Sequence, residues 1–336
     1  MSPATWARAE PMRDRLLVVD PVAKRLDVAC VGDLVRYVKP GDLLVVNDAG
    51  TFPASLGCVT STGDAVEVRL LASRGGGWRA VLFGAGDWRT RTEDRPAPPP
   101  VREGDAFVFP GGLRAVVASV ARESPRLVAL RFEASPDHVW TAIHRYGRPV
   151  QYAHIAGPLS AWHVQTPFAS RPWASEMPSA ARPLAWDLVL ALRKRGVRFA
   201  AVTHAAGLSS TGDASLDTRL PLRESFEVPL ETAGAVARTK AEGGRVIAVG
   251  TSVVRALESS ASMCAPSGES DLVIDKRHTV RWADGILTGI HEPGTSHDAL
   301  LQAFAPEGLL RHAYERAVGE GFLGHEFGDS MLIARG

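Results

Sequence analysis

The residues that follow the apolar run 245–249 could bind an anion or a sugar. The segment reads RVIAVGTSVVRALES: a predicted strand stops at Gly250, Thr251 and Ser252. A helical pattern that contains Arg255 begins directly afterwards. The first N–H groups of such a helix have no intrahelical partner, and the positive end of its dipole favours carboxylate, phosphate or sugar oxygens. Thr251 or Ser252 could cap the helix and also contact a ligand. An ordinary strand-to-helix turn is the alternative interpretation.

Polar residues follow three further predicted strands. Asn47 and Asp48 come after Leu43–Val46, His204 comes after a strand that ends at Thr203, and His291 with Glu292 follows an apolar run. In α/β sheets, ligands bind outside the carboxyl ends of the strands. Each residue alone could be a turn or capping residue. Together with the 250–252 turn, they predict one shared pocket.

His291, Glu292 and His297 raise the question of a metal site, since histidine and carboxylate are common ligands. Their HExxxxH spacing does not place two histidines on one helical face, and Pro293 breaks any helix between them. We therefore expect no metal site. His297 is expected to cap the helix that begins near Asp298 or to contact substrate.

The segment GDWRTRTEDRP at 86–96 concentrates aromatic and charged residues in a short predicted loop. A solvated charged loop is the usual explanation of such a run. In the alternative interpretation it is an active-site loop, in which Trp88 stacks on an aromatic base, Arg89 holds a carboxylate and Glu93 acts as a base. A glutamate among arginines keeps a low pKa unless it is buried.

Glu326 and Asp329 precede the last predicted strand and could hydrogen-bond ribose hydroxyls. A turn followed by a strand start is the alternative interpretation of this segment.

The pattern of predicted strands and helices that must position these residues indicates an α/β protein. It also predicts an inserted antiparallel β domain. Short alternating apolar segments, from AVEVRLLAS at 65–73 to RLVALRF at 126–132, are separated by Gly, Pro and Asp. This spacing is typical of an antiparallel barrel or sandwich. Helices and strands alternate from about 137 onward, and a helix is predicted near 31–38. We therefore predict an α/β domain at 1–56 and 137–336, interrupted by a β domain at 57–136.

Composition excludes several classes of protein. The chain has 336 residues, 45% of them hydrophobic and 22% charged, as in globular proteins. Its formal net charge of +1 provides no strong overall field for nucleic acid, although a local basic face remains possible. The three cysteines form no close pair, which argues against a zinc ribbon or a disulfide framework and favours the cytoplasm. We expect neither a signal peptide nor a membrane span.

Four segments of the chain carry a family resemblance: LLVVNDAGTFPASL at 43–56, RVIAVGTSVVRALES at 245–259, DGILTGIHEPGTSHDALLQAFA at 284–305 and FGDSMLI at 327–333. Together they resemble the S-adenosylmethionine:tRNA ribosyltransferase-isomerases of the queuosine pathway, over nearly the whole chain. The resemblance implies an α/β domain that carries an inserted β-barrel. It also implies a reaction that moves the ribosyl unit of S-adenosylmethionine onto a deazaguanine base in tRNA and releases adenine and methionine.

The chain departs from that family at the predicted substrate side. The family's PTAGLHF segment corresponds here to PSAARPL at 178–184, which lacks the histidine and the phenylalanine and has Arg182 and Pro183 instead. The family's NFHLP segment has become GIHEP at 289–293. The resemblance thus implies a retained S-adenosylmethionine site with a changed partner subsite that includes Arg182.

The sequence therefore favours an enzyme that cyclises S-adenosylmethionine to 1-aminocyclopropane-1-carboxylate and releases methylthioadenosine, without pyridoxal phosphate. In this hypothesis Glu93 is the base, Arg89 or Arg255 holds the carboxylate, and Trp88 covers adenine or the sulfonium. Asp48 and His291 are the other candidate catalytic residues.

Two alternatives remain open at this point. The first is a tRNA ribosyltransferase-isomerase, with tRNA as its partner, and the second is a non-catalytic protein that binds S-adenosylmethionine. In each case S-adenosylmethionine is the small-molecule ligand, and we expect no further cofactor.

Overall fold

The computed structural model describes residues 1–71 and 77–336. Its strands are β1 Ser2–Pro3, β2 Arg15–Asp20, β3 Arg25–Cys30, β4 Leu43–Asn47, β5 Ala49–Thr51, β6 Ser55–Thr60, β7 Ala65–Leu70, β8 Trp78–Phe83, β9 Ala106–Val108, β10 Arg114–Val120, β11 Leu127–Phe132, β12 Arg171–Ala174, β13 Arg198–His204, β14 Glu224–Glu227, β15 Val246–Val249, β16 Ser267–Ser270, β17 Gly285–Gly289, β18 Leu323–Gly324 and β19 Ser330–Ala334. Its α-helices are α1 Leu34–Tyr37, α2 Pro136–Tyr146, α3 Trp186–Lys194, α4 Ala214–Asp217, α5 Leu230–Ala241, α6 Thr251–Met263, α7 Ser296–Leu301 and α8 Glu307–Gly319.

Within the described residues, the main sheet has nine strands in the order β16-β14-β13-β4-β15-β17-β19-β2-β3. The central strands β13, β4, β15 and β17 run parallel. Strand β4 is buried along its whole length because the sheet is covered on both faces. Leu43 and Val45 pack in the same cluster as α5, α6 and α8, whereas Leu44 and Val46 pack with α3. Because successive side chains of β4 point to opposite faces, this strand packs against the helices on both sides of the sheet.

The inserted β domain is a closed antiparallel barrel with the strand order β10-β11-β8-β7-β6-β9. Its interior is filled by apolar side chains such as Val68, Leu82 and Phe107. The prediction of an α/β fold with an inserted antiparallel barrel is confirmed, and the sandwich alternative does not apply. Within the predicted strand segment 65–73, β7 ends at Leu70, and residues 72 and 73 lie outside the described residues.

The two ends of the insertion are joined. Ser55 and Arg148 exchange a pair of backbone hydrogen bonds of 2.9 and 2.8 Å between the start of β6 and the chain after α2. Helix α2 follows the predicted boundary at residue 136, yet Val139 and Ile143 pack against the barrel interior. The boundaries themselves stay a prediction.

The helix near residues 31–38, the cysteines and the lengths of the helices can also be compared with the sequence-based predictions. The helix predicted near 31–38 is a 3₁₀ turn, Val31–Asp33, followed by the single turn α1. The three cysteines are free thiols. In the described part of the chain, every helix is too short or too polar to cross a membrane.

Candidate active site

The turn between β15 and α6 lies at the carboxyl end of the parallel strands. Gly250 has a φ of 99°, which side chains with a Cβ rarely adopt, and its N–H donates to Leu287 O at 2.8 Å. A Cβ on Gly250 would lie 3.3 Å from the Cβ of Ala180. The turn is therefore held tightly against the neighbouring 178–183 segment. No side chain caps the 13-residue helix α6, and Val253 N donates to Gly250 O at 3.2 Å, so the N–H groups of Thr251 and Ser252 are the ones left for a ligand.

A pair of histidines lies beside this turn. Thr251 Oγ1 is 3.2 Å from His297 Nδ1, Thr288 Oγ1 is 2.8 Å from His291 Nε2, and the two imidazole centroids are 4.5 Å apart. Desolvation lowers the pKa of His291 to about 4 and that of His297 well below its ordinary value. Both rings are therefore neutral at pH 7 and can accept or donate a hydrogen bond. The structure thus brings together three predicted site residues.

His204, Glu224 and Arg255 form a buried cluster next to this pair. Arg255 Nη2 lies 2.9 Å from Glu224 Oε2, and His204 Nε2 lies 3.5 Å from the same oxygen. Burial lowers the pKa of His204 to about 4, so its ring is neutral and Arg255 is the ionic partner of Glu224. Arg255 is thus already neutralised, which makes it a weak candidate for holding a substrate carboxylate. His204 Nδ1 and Arg255 Nε have no hydrogen-bond partner among the described residues.

Asn47 is a structural residue rather than the predicted ligand-binding one. Its side chain is fully buried, donates to His204 O at 3.0 Å and to Ser252 Oγ at 3.3 Å, and accepts from the His204 and Ala49 N–H groups. These bonds use both of its polar atoms and tie β4 to β13 and α6. The predicted catalytic residue Asp48 accepts a 2.5 Å hydrogen bond from Thr203 Oγ1.

A narrow cleft lies on the other side of the Gly250 turn, and it is lined by Ser179, Ala180, Arg182, Glu326 and other residues of the last loop. Arg182 stacks over the Phe327 ring at 5.3 Å, and its Nη2 has no partner among the described residues. Burial lowers the pKa of this guanidinium, whose charge is only partly compensated by Asp14. Arg182 is thus placed to bind an anionic group.

Asp329 does not fit its predicted contact with ribose. Its side chain is fully buried and accepts from Arg8 Nη1 at 2.5 Å, Arg15 N at 2.9 Å and Leu323 N at 2.7 Å. Arg8 and Arg15 come from the N-terminal segment, whereas Leu323 belongs to the same last loop as Asp329. Asp329 therefore fixes the N-terminal segment and the last loop against each other, with no exposed oxygen left for a ligand.

Glu176 is a functional candidate that the sequence analysis missed. Its carboxylate accepts from the Tyr152 hydroxyl, from the Ser209 hydroxyl and from Ser209 N at 3.0 Å. Burial raises the pKa of Glu176, and the nearby charge of Glu326 raises it further, against the opposing effect of these hydrogen bonds. A carboxylate with a raised pKa is suited to proton transfer. The sequence of its loop predicts only the start of a helix, and no local pattern indicates that Glu176 is buried.

The loop at 86–96 matches the solvated interpretation instead. Arg89 pairs with Asp87 and lies 4.8 Å from the Trp88 ring centroid, while Glu93 pairs with Arg91. The Glu93 side chain is 57% exposed, and a backbone hydrogen bond together with Arg91 lowers its pKa. Glu93 is therefore a weaker base than the predicted role requires.

A wider cleft of about 350 Å³ lies at the amino end of the same parallel strands. Its Arg245 side chain donates to Asp42 and to the carbonyls of Tyr37 and Arg335. These bonds are internal to the protein and stabilise the fold. Since ligands bind at the carboxyl ends of strands, the candidate site is the Gly250 side.

Curated relatives match most of the chain. An S-adenosylmethionine:tRNA ribosyltransferase-isomerase from Azoarcus sp. is 34% identical, over 97% of this chain and 92% of its own length. Proteins of the same name from Sorangium cellulosum and Thermus thermophilus are 35% and 33% identical, over 95% and 90% of this chain and 91% and 87% of their own lengths. These names contradict the predicted main function. The prediction that the protein cyclises S-adenosylmethionine to 1-aminocyclopropane-1-carboxylate was therefore wrong.

The fold has a solved counterpart. The crystal structure of an S-adenosylmethionine tRNA ribosyltransferase from Thermotoga maritima has a TM-score of 0.54 at 24% identity, and it covers 98% of this chain and 95% of its own. The family model described as queuosine biosynthesis protein matches residues 3–333. The resemblance read from the sequence is thereby confirmed, and the chain belongs to the queuosine biosynthesis protein family of enzymes.

Proposed function

We propose that the protein is an S-adenosylmethionine:tRNA ribosyltransferase-isomerase, which moves the ribosyl unit of S-adenosylmethionine onto a deazaguanine base in tRNA and releases adenine and methionine. The names of relatives 33–35% identical to it support this assignment. A tRNA substrate also implies a cytoplasmic location. We propose that the ribosyl transfer itself needs no cofactor besides S-adenosylmethionine, which is consumed as a substrate.

The observation that carries the proposal is the grouping around the Gly250 turn. The free N–H groups at the start of α6 suit an oxygen-bearing part of S-adenosylmethionine, and Thr251 beside them adds a hydroxyl. The neutral rings of His291 and His297 can hydrogen-bond a nucleoside without placing a positive charge near the sulfonium. This part of the site thus offers hydrogen-bond donors for the oxygens of S-adenosylmethionine and adds no charged imidazole beside its sulfonium.

Glu176 is the proposed general base. The positive sulfur of S-adenosylmethionine acidifies the C–H bonds next to it, so that a carboxylate with a raised pKa can remove a proton there. Tyr152 and Ser209 hold the Glu176 carboxylate in place through hydrogen bonds. Because each bond orients the base, their loss should reduce turnover more than binding.

Arg182 is proposed to hold an anionic group of the second substrate, a tRNA phosphate above all. Its guanidinium lies at the cleft with one free Nη2, and arginine binds phosphate oxygens with strong, directional hydrogen bonds. An Arg182→Gln variant should therefore weaken tRNA binding while leaving binding of S-adenosylmethionine intact.

The decisive assay incubates the purified protein with S-adenosylmethionine and a tRNA that carries the deazaguanine precursor. Adenine and methionine should be released only when that tRNA is present, and tRNA without the precursor is the control. Formation of methylthioadenosine from S-adenosylmethionine alone would contradict the proposal. Glu176→Gln should reduce turnover about 100-fold or more, whereas Glu231→Gln, an exposed glutamate on α5, should leave it unchanged.

A further inference from the structure

Two histidines and two carboxylates converge at the outer end of the narrow cleft. One ligand-type atom each from His154, His325 and Glu326 lies within 4.8 Å of the other two. His154 Nε2 is 3.1 Å from Glu326 Oε2, and His325 Nε2 is 3.7 Å from Glu292 Oε1. The imidazole centroids are 4.4 Å apart. This set, which we call the His154 cluster, is separate from the groups proposed to bind S-adenosylmethionine.

Tight turns hold the cluster in place. Ile155 N donates to Tyr152 O at 3.1 Å, and the Tyr152 ring lies nearly parallel to the His154 ring at a centroid distance of 6.4 Å. On the other side, Gly328 N donates to His325 O at 2.9 Å, and His325 has a φ of 67°. A left-handed conformation at a residue other than glycine costs free energy, and such residues concentrate at functional sites.

The donor set has the chemistry of a transition-metal site. Two imidazole nitrogens with one or two carboxylate oxygens are ligands that zinc accepts, and tetrahedral zinc ligands lie about 3.3 Å apart. His154 Nε2 and Glu326 Oε2, which are hydrogen-bonded at 3.1 Å, are already close to this separation, and the His325 side chain is 38% exposed and can rotate to close the remaining gap.

The carboxylates of the cluster also favour a cation. Glu292 and Glu326 belong to the cluster, and Glu176 is close enough for Glu326 to raise its pKa. Burial lowers the pKa of His325, and the positive N-terminal ammonium, which opposes these carboxylates, lowers it further. A divalent ion would neutralise the carboxylates and join the two loops. We infer that His154, His325 and Glu326, with Glu292 as fourth ligand, bind a divalent transition-metal ion of the zinc type.

The test uses the full-length protein, stripped of metal with a chelator, without S-adenosylmethionine or tRNA. Zinc titration by calorimetry should give one ion per chain, and cobalt should give the intense visible absorption of a tetrahedral site. Absence of stoichiometric zinc in the unsubstituted protein would overturn the inference. Because no substrate is present, this result is independent of the proposed function.

Variants assign the ligands. His154→Ala and His325→Asn should weaken zinc binding about ten-fold or more; asparagine tolerates the left-handed conformation at 325, so that this variant keeps the turn. His138→Ala on the exposed side of α2 and His297→Ala in the other histidine pair are the controls, and both should bind zinc normally. Normal zinc binding in both His154→Ala and His325→Asn, or its loss in His297→Ala alone, would refute the assignment.

Discussion

The molecule contains two histidine pairs of almost the same geometry and different surroundings. The rings of His291 and His297 are 4.5 Å apart, and those of His154 and His325 are 4.4 Å apart. The first pair contacts the hydroxyls of threonines, whereas the second faces carboxylates. Hydroxyl partners suit a neutral ring that hydrogen-bonds a ligand, and carboxylate partners suit a cation. The partners of a histidine, rather than its spacing, thus decide its chemistry.

The largest effect should come from the pair at the turn. His297→Ala removes the ring that contacts Thr251, so turnover should decrease about 100-fold while zinc affinity stays unchanged. Steady-state release of adenine measures this effect, with His312→Ala on the exposed face of α8 as the matched control. Normal turnover combined with lost zinc binding would reverse the roles of the two pairs.

Each pair depends on one glycine, and the two glycines should separate the pairs. An alanine at position 250 would have to adopt a positive φ, and its Cβ would lie close to Ala180. A Cβ at position 328 would lie 2.5 Å from two backbone oxygens. Gly250→Ala should therefore destabilise the fold by about 1–3 kcal/mol, and Gly328→Ala by at least as much; the first should also impair binding of S-adenosylmethionine, and the second should also impair zinc binding.

Urea unfolding and calorimetry measure these two effects. Gly308→Ala, at a position with open space around it, is the control. Equal losses of both ligands in both variants would show that the sites are not independent.

The pH dependence of stability should reveal the buried neutral rings. His204 and His291 have a pKa of about 4 in the folded protein, against about 6.5 in the unfolded chain. The unfolded chain therefore binds more protons between these values, so the free energy of unfolding should decrease as pH falls from about 6.5 to 4.

The expected loss for His204 alone is on the order of 3 kcal/mol. Urea unfolding across this pH range measures it, and His204→Gln should remove this share of the decrease while the share of His291 remains. A profile that is already flat in the unsubstituted protein would contradict neutral burial of the ring.

The smallest effect should come from the exposed loop of the barrel. Glu93→Gln removes a carboxylate that pairs only with its own loop, so turnover should stay unchanged and stability should shift by less than about 0.5 kcal/mol. The adenine-release assay and urea unfolding provide both values. A large loss of turnover would instead show that Glu93 takes part in catalysis.

Local signals in the sequence predict the Gly250 turn, because a strand, a glycine and a capping residue follow one another there. They also predict the barrel, because short alternating strands repeat between turn residues. Asn47 and Asp329 have residue types that suit a site, but they are bound to backbone groups of distant segments, such as His204 O and Arg15 N. The pKa of Glu176 depends on burial, which no stretch of neighbouring residues reveals.

The paired backbone bonds between Ser55 and Arg148 bring the two ends of the barrel insertion together. The chain leaves the α/β body and returns to it at neighbouring points, so the intervening module can grow, shrink or be exchanged without stretching the sheet beneath it. Substitutions within the barrel can therefore accumulate while the α/β body keeps its architecture.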